Sequence, residues 1–278
     1  MYWTDDGRNK IQRANLDGTG VQDLVTTDLA QPRGIALDLS PVLTCPTTFD
    51  FDFSGTQYAD CFRDVHRGGQ IDAGPDVGGT DHPSLVFTGS TGAAGATWLT
   101  VYDDTPSTPA SGPTFGAETL CADVLFARFS NTKGAGLVAL LNEGVGKRGL
   151  ALLVSDAGNT DLLRLATVDG DPAKQGKLTI LSSVPLPNGI AENVWYRLVM
   201  TVDPTTPRVT GKVFTHSLPL DPGSALGVQV GPTLTYQPAA LPVGVTSPGQ
   251  NGLLAQAINA VVDLSVTNFS NDPALCSP

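Results

Sequence analysis

Between residues 84 and 268 the sequence breaks into apolar runs of five to nine residues, each closed by a cluster of turn formers. The runs fall at 84–88, 97–103, 121–129, 136–141, 149–154, 161–168, 177–182, 194–202, 208–216 and 260–268. Asn131-Thr132-Lys133-Gly134, Asp156-Ala157-Gly158-Asn159 and Asp169-Gly170-Asp171-Pro172 divide them. Runs this short leave little room for helices, and apolar stretches bounded by Gly, Asn, Asp and Pro read as strands. Gly and Pro supply 31 and 21 of the 278 residues, while charged residues make up only 15%. Some ten short strands at this spacing predict an all-β chain built as a two-sheet jelly-roll sandwich.

The first forty residues carry a different pattern. Tyr2-Trp3-Thr4-Asp5, Lys10-Ile11-Gln12-Arg13-Ala14-Asn15-Leu16-Asp17-Gly18-Thr19 and Gln31-Pro32-Arg33-Gly34-Ile35-Ala36-Leu37-Asp38 resemble the YWTD repeat of the low-density-lipoprotein-receptor family. Strands are expected near 2–5, 9–16, 21–26 and 33–39, with Asp6-Gly7 and Asp17-Gly18-Thr19-Gly20 as turns. The resemblance implies that the first three are the middle and outer strands of one blade. Residues 34–38 would then be the innermost strand of the next. A blade is one unit of a radial array and cannot bury both faces alone. The expectation is an incomplete propeller blade, a small N-terminal β appendage whose Tyr2, Trp3, Ile11, Ile35 and Leu37 need a partner surface. No secretory apolar region precedes Tyr2, so the start is expected to be a mature or trimmed terminus.

Pro41-Val42-Leu43-Thr44-Cys45-Pro46 interrupts the pattern. The predicted organisation is a repeat at 1–40, a linker at 41–47 and a jelly roll at 48–278. Phe49, Phe51 and Phe53 alternate and so place three rings on one strand face. Phe51-Asp52-Phe53-Ser54-Gly55, the run Trp195 to Val202 and the run Val262 to Phe269 resemble a concanavalin-like or laminin-G-like domain over residues 45–278. In such folds the first and last strands lie antiparallel side by side. That implies a Cys45–Cys276 disulfide and leaves Cys61 for Cys121.

The cysteines contain no C-x-x-C pair, which argues against a zinc or redox motif. Their even number points to two disulfides and an extracellular, oxidising setting, with buried free thiols as the alternative. Asn268-Phe269-Ser270 is a glycosylation sequon at Asn268. A net charge of −11 repels phosphates, so no nucleic-acid partner is expected. No apolar stretch approaches the roughly 18 residues that span a bilayer, so no membrane insertion is expected.

Fold alone does not separate glycosidase from lectin. The glutamates Glu118, Glu143 and Glu192 are isolated, and none has a carboxylate two or four positions away. Asp50 and Asp52 share a strand face but sit on the opening strand. With His66, His82 and His216 the only histidines and no Gly-x-Ser-x-Gly turn, serine chemistry has no support either. Asp64, His66, Asp72, Asp76, Asp81 and His82 crowd one region. Asp72, Asp76 and Asp81 are Ca²⁺ candidates there, against solvated turn formation as the plainer reading, and no other cofactor is expected. Trp98 and Trp195 read as core residues, while Tyr58, Tyr102 and Tyr236 could stack on sugar.

These readings predict a secreted, non-catalytic structural or adhesive protein. It would self-associate through its N-terminal strands, possible as an extracellular fibre because unpaired edges template strand addition. Its partners would be copies of itself or other surface proteins. The alternative is a carbohydrate-binding adhesion module of a larger cell-surface protein, with glycans as partners, and the remote one a glycoside hydrolase.

Overall fold

The computed structural model describes residues 2–15, 17–27, 29–31, 45–53, 61–66, 70–74, 84–88, 97–102, 113–127, 132–156, 158, 160–174, 177–217, 225–257 and 264–277. The chain forms two compact units, Met1–Val42 and Leu43–Pro278.

The first unit holds β1 (Tyr2–Asp5), β2 (Lys10–Arg13) and β3 (Gln22–Val25), paired antiparallel in that order. Its turns follow from the sequence. Asp5 accepts from the Arg8 amide at 3.0 Å, and Asp17 accepts from the Thr19 amide and hydroxyl. Gly18 takes a φ of +82°, open to glycine without strain. Polar side chains tie the strands, with Asp23 accepting from Lys10 at 2.5 Å and Gln12 at 2.6 Å. These two hydrogen bonds, Lys10 first, hold the Asp23 carboxyl below its ordinary value. Apolar burial is thin: Trp3 and Ile11 are half-buried, and Val21, Leu24 and Val25 are 59%, 43% and 38% exposed. Of the five residues expected to seek a partner, Ile35 and Leu37 lie outside the described residues, and only the backbone of Tyr2 is described.

The second unit is a sandwich of two antiparallel sheets. Its early strands are β4 (Asp50–Phe51), β5 (Phe62–His66), β6 (Gln70–Gly74), β7 (Ser84–Thr88) and β8 (Thr97–Tyr102). The middle strands are β9 (Glu118–Phe126), β10 (Thr132–Leu141), β11 (Arg148–Asp156), β12 (Asp161–Asp169) and β13 (Leu178–Pro185). The last are β14 (Trp195–Asp203), β15 (Arg208–Thr215), β16 (Leu234–Tyr236), β17 (Gln250–Ala257) and β18 (Leu264–Ser270), followed by the short helix α1 (Pro273–Cys276). One sheet runs β13-β12-β11-β10-β17-β8-β5. The other runs β16-β15-β14-β9-β18-β7-β6, with β4 also pairing β18. Strands β5, β6, β16 and β17 were not among the sequence-predicted runs.

Alternation decides which side chains fill the sandwich. On β14, Tyr196, Leu198, Met200 and Val202 point inward, as do Val209 and Val213 on β15. They meet Leu137 and Ala139 of β10 and Leu150, Leu152 and Val154 of β11. Phe49, Phe51 and Phe53 enter this core together and pack against Phe62 and Tyr102, with the Phe49–Tyr102 ring centroids 4.6 Å apart. Gly211 lets the sheets close over Leu152, because a Cβ there would lie 2.3 Å from Leu152 Cδ1.

The first and last strands do pair, Phe51 opposite Phe269. The cysteine pairing differs from expectation: the disulfides are Cys45–Cys61 and Cys121–Cys276. Sidedness explains it. Cys45 and Cys61 belong to the core between the sheets, whereas Cys121 points outward from β9. Helix α1 folds back over β9 and brings Cys276 to that outer face, on the far side of the sheet from Cys45.

Candidate functional site

Several residues singled out by the sequence have structural roles. Glu143 forms an ion pair with Arg63. Glu118 begins β9 with its side chain turned inward and accepts from Asn251 Nδ2 at 2.7 Å. Its Oε1 is sealed from solvent without a hydrogen-bond partner among the described residues, as is Asn251 Oδ1. Burial pushes the Glu118 carboxyl up to about 7, with the Asn251 hydrogen bond opposing. Tyr102 is buried and donates to the Pro46 carbonyl at 2.5 Å, which removes it as a sugar platform. Tyr236 packs against the core and Trp195 is buried beside Leu125. The side chain of Trp98 and all of Tyr58 lie outside the described residues.

Asn268 is a correction. Its side chain is buried, and the Nδ2 that would carry a glycan donates to Asp123 Oδ2 at 2.8 Å. The Ca²⁺ candidates Asp76 and Asp81 lie outside the described residues, and Asp72 contributes only its β6 backbone. Among the described residues no group of three His, Cys, Asp or Glu is placed to hold a metal.

The outward face of the second sheet carries the rest. At one end it is covered. Asp123 on β9 accepts from Arg197 Nε at 2.8 Å and Nη2 at 2.5 Å, and His216 Nδ1 lies 2.8 Å from its Oδ1. Arg197 Nη1 donates to the Leu275 carbonyl of α1 at 2.8 Å, tying the helix down. Burial pushes the Asp123 carboxyl up, but the hydrogen bonds from His216 and Arg197 outweigh it and the net shift is downward. A buried charge with both oxygens answered is how such a group is tolerated.

Four residues further along each strand the face opens. Thr119, Thr201, Thr210 and Thr235 are register partners on β9, β14, β15 and β16, and so form one row across four strands. The Thr119 and Thr201 hydroxyls lie 3.1 Å apart. Around this row runs a groove of about 480 Å³ lined by Thr201, Asp203, Thr206, Arg208, Thr210, Lys212, Thr233 and Thr235. A second hollow of about 130 Å³ shares Thr201, Thr210 and Lys212 and reaches Cys276 and Ser277.

The groove's charges are unequal in freedom. Asp203 accepts from the Thr205 and Thr206 hydroxyls at 2.6 and 2.5 Å and from both their amides. Those bonds, Thr205 first, hold its carboxyl far below the ordinary value. It is committed to the turn between β14 and β15. Arg208 and Lys212 make no ion pair among the described residues. Sequence reading placed a strand at 208–216 but gave its polar face no role. The signal was the alternation of Arg208, Thr210 and Lys212 with Val209, Gly211 and Val213.

The family model "Low-density lipoprotein receptor repeat class B" matches residues 1–39. Low-density lipoprotein receptor-related protein 5 of mouse and of human is 55% identical over 38 residues. That match takes in 14% of this chain and spans only 2% of those relatives. Among solved structures, a peanut lectin with a bound 9mer peptide is similar at TM-score 0.48 and 9% identity, covering 80% of this chain and 95% of the lectin. A Lotus tetragonolobus seed lectin gives 0.47 at 12% identity, covering 81% and 100%. The carbohydrate-binding module CBM66 of Bacillus subtilis gives 0.41 at 12%, covering 75% and 92%.

Proposed function

We propose that this chain is a non-catalytic extracellular protein whose jelly roll binds saccharide on the outer face of its second sheet. The observation that carries this reading is the groove over the threonine row, whose lining is made of hydroxyl and charged side chains on paired strands. Fixed hydroxyls and charges at an open surface suit a polyhydroxylated ligand, because each can exchange a water hydrogen bond for a ligand one. Glycoside hydrolysis requires two carboxyl groups about 5–9.5 Å apart. The groove lining supplies one, Asp203, already bound in its turn. Two disulfides fit an oxidising compartment.

The test is binding to a glycan array and by calorimetry, with calcium and with a chelator. The Thr201→Val/Thr210→Val double variant keeps strand propensity and removes two hydroxyls. Binding that falls at least tenfold in this variant supports the reading. A wild-type chain that binds no glycan under either condition overturns it. Dependence on calcium would direct attention to Asp72, Asp76 and Asp81.

A second reading, self-association through the N-terminal unit, draws on the exposed Val21, Leu24 and Val25 of a sheet with four-residue strands. Sheets this small are marginal unless a further surface covers a face. Light scattering decides it: assembly lost on deleting residues 1–40 supports it, and a monomer at high concentration refutes it.

A further inference from the structure

Arg208, Thr210 and Lys212 project from the same face of β15 at alternate positions. At about 3.3 Å of rise per residue, the two cations stand about 13 Å apart along the strand, with Thr210 between them. The threonine row crosses them at right angles and spans about 14 Å over four strands spaced about 4.8 Å. The two hollows are neighbours that share Thr201, Thr210 and Lys212 in their linings. Their linings reach from Thr233 and Thr235 on one side to Ser277, which follows α1, on the other.

In a chain of net charge −11 with 16 lysines and arginines, Arg208 and Lys212 share one groove lining with five threonines. Several cations elsewhere are matched, Lys10 with Asp23, Arg63 with Glu143, Lys174 with Asp169 and Asp171, and Arg197 with Asp123, whereas Lys147, Arg148, Arg164 and Lys177, like the groove pair, have no ion pair among the described residues. Asp203, the register partner of Arg208, is held by hydrogen bonds from Thr205 and Thr206 and makes no ion pair with either cation among the described residues. Leaving two cations unmatched beside a row of hydroxyls provides for an anionic group brought by a ligand, and Arg208 offers the forked donor geometry that suits carboxylate and sulfate.

We infer that the groove is a site for a linear acidic polysaccharide, its carboxylate or sulfate groups on Arg208 and Lys212 and its hydroxyls on the threonine row. The inference rests on the saccharide reading and narrows it to a charge class. Beyond about 8 Å at physiological salt the chain's negative charge is screened, so the local cations govern contact.

The experiment measures binding of the full chain to polygalacturonate, dextran sulfate and unsubstituted dextran at low and at physiological salt. It is repeated with Arg208→Gln/Lys212→Gln. Both side chains are solvent-facing, and a thermal melt matching the wild type confirms the fold. The expected result is binding to one or both acidic polymers that weakens with salt and falls at least tenfold in the double variant. Polygalacturonate alone would identify carboxylate as the anion, and dextran sulfate alone would identify sulfate. Dextran bound as well as the acidic polymers, or acidic binding unchanged in the variant, would overturn the inference while leaving the saccharide reading intact. No binding to any of the three, together with an empty glycan array, would sink both.

Discussion

Replacing Glu118 by glutamine should stabilise the jelly roll at alkaline pH and leave it unchanged at acid pH. Glu118 and Asn251 face each other across the sandwich, joined by one hydrogen bond from Asn251 Nδ2 to Glu118 Oε2. The other oxygen of each, Glu118 Oε1 and Asn251 Oδ1, is a buried acceptor with no donor among the described residues. A proton on Oε1 turns that oxygen from an acceptor into a donor. Glutamine carries such a donor permanently on Nε2.

The sign follows from the direction of the shift. Burial raises the Glu118 pKa from 4.5 unfolded to about 7 folded. The folded state therefore holds the proton more tightly. Its stabilising contribution is complete below pH 4.5 and is lost as pH rises through about 7. A shift from 4.5 to about 7 corresponds to about 3 kcal/mol at 1.36 kcal/mol per unit. Asp50, raised by burial, adds to wild-type and variant alike and cancels in their difference. The same holds for the lowered Asp123, whose contribution changes sign of slope and is complete above its unfolded value of 3.8.

The assay is urea denaturation followed by near-ultraviolet circular dichroism at pH 5 and pH 8, disulfides intact. Wild type and Glu118→Gln should agree at pH 5, and the variant should be more stable by about 2–3 kcal/mol at pH 8. An identical pH dependence in the two proteins would refute the reasoning. So would a variant weakened equally at both pH values, since that would mean the pair acts through packing alone.

Three further outcomes follow from the geometry. Arg197→Met leaves Asp123 buried without its forked partner and should cost about 3–5 kcal/mol in a denaturant titration, and Asp123→Asn, which leaves the Arg197 guanidinium buried without its carboxylate, should cost a similar amount in the same assay. Removing the Cys121–Cys276 disulfide frees a 155-residue separation and should cost about 5 kcal/mol in the chain-entropy model, against about 3 kcal/mol for the 16-residue Cys45–Cys61 separation; melting of the two Cys→Ser pairs compares them. Gly211→Ala should lower stability by about 1–3 kcal/mol through its clash with Leu152 Cδ1, and the same change should cost less when made in a Leu152→Ala background.

Where a strand's own residues impose its form, it was legible in advance. The runs at 2–5, 84–88 and 208–216 coincide with β1, β7 and β15 to within a residue, because apolar and β-branched alternation marks a half-buried strand. Strand β17 was missed because Gln250-Asn251-Gly252 opens it and no β-branched residue follows. Pairing with β10 and β8 on either side makes it a strand. Strands β5 and β6 lie in the region crowded with Asp and His, where no apolar run marks a strand. The disulfide pairing was beyond reach for a related reason. That Cys121 points outward follows from its inward neighbours Leu120 and Ala122, but the side taken by Cys45 and Cys276 depends on non-strand backbone.

The groove was hidden because it is a property of register. In the sequence Thr119, Thr201, Thr210 and Thr235 are scattered ordinary strand residues. Only the pairing of β9, β14, β15 and β16 sets them in line. The same strands carry the buried Asp123–Arg197–His216 cluster four residues away on the same face, under α1. The lid ends at Cys276, held to Cys121, and Ser277 beyond it lines the smaller hollow. One face thus divides into a covered half, where charges satisfy one another, and an open half, where Arg208 and Lys212 do not. The disulfide and the Arg197–Leu275 hydrogen bond fix where that division falls, and so they set the end of the groove without touching what it binds.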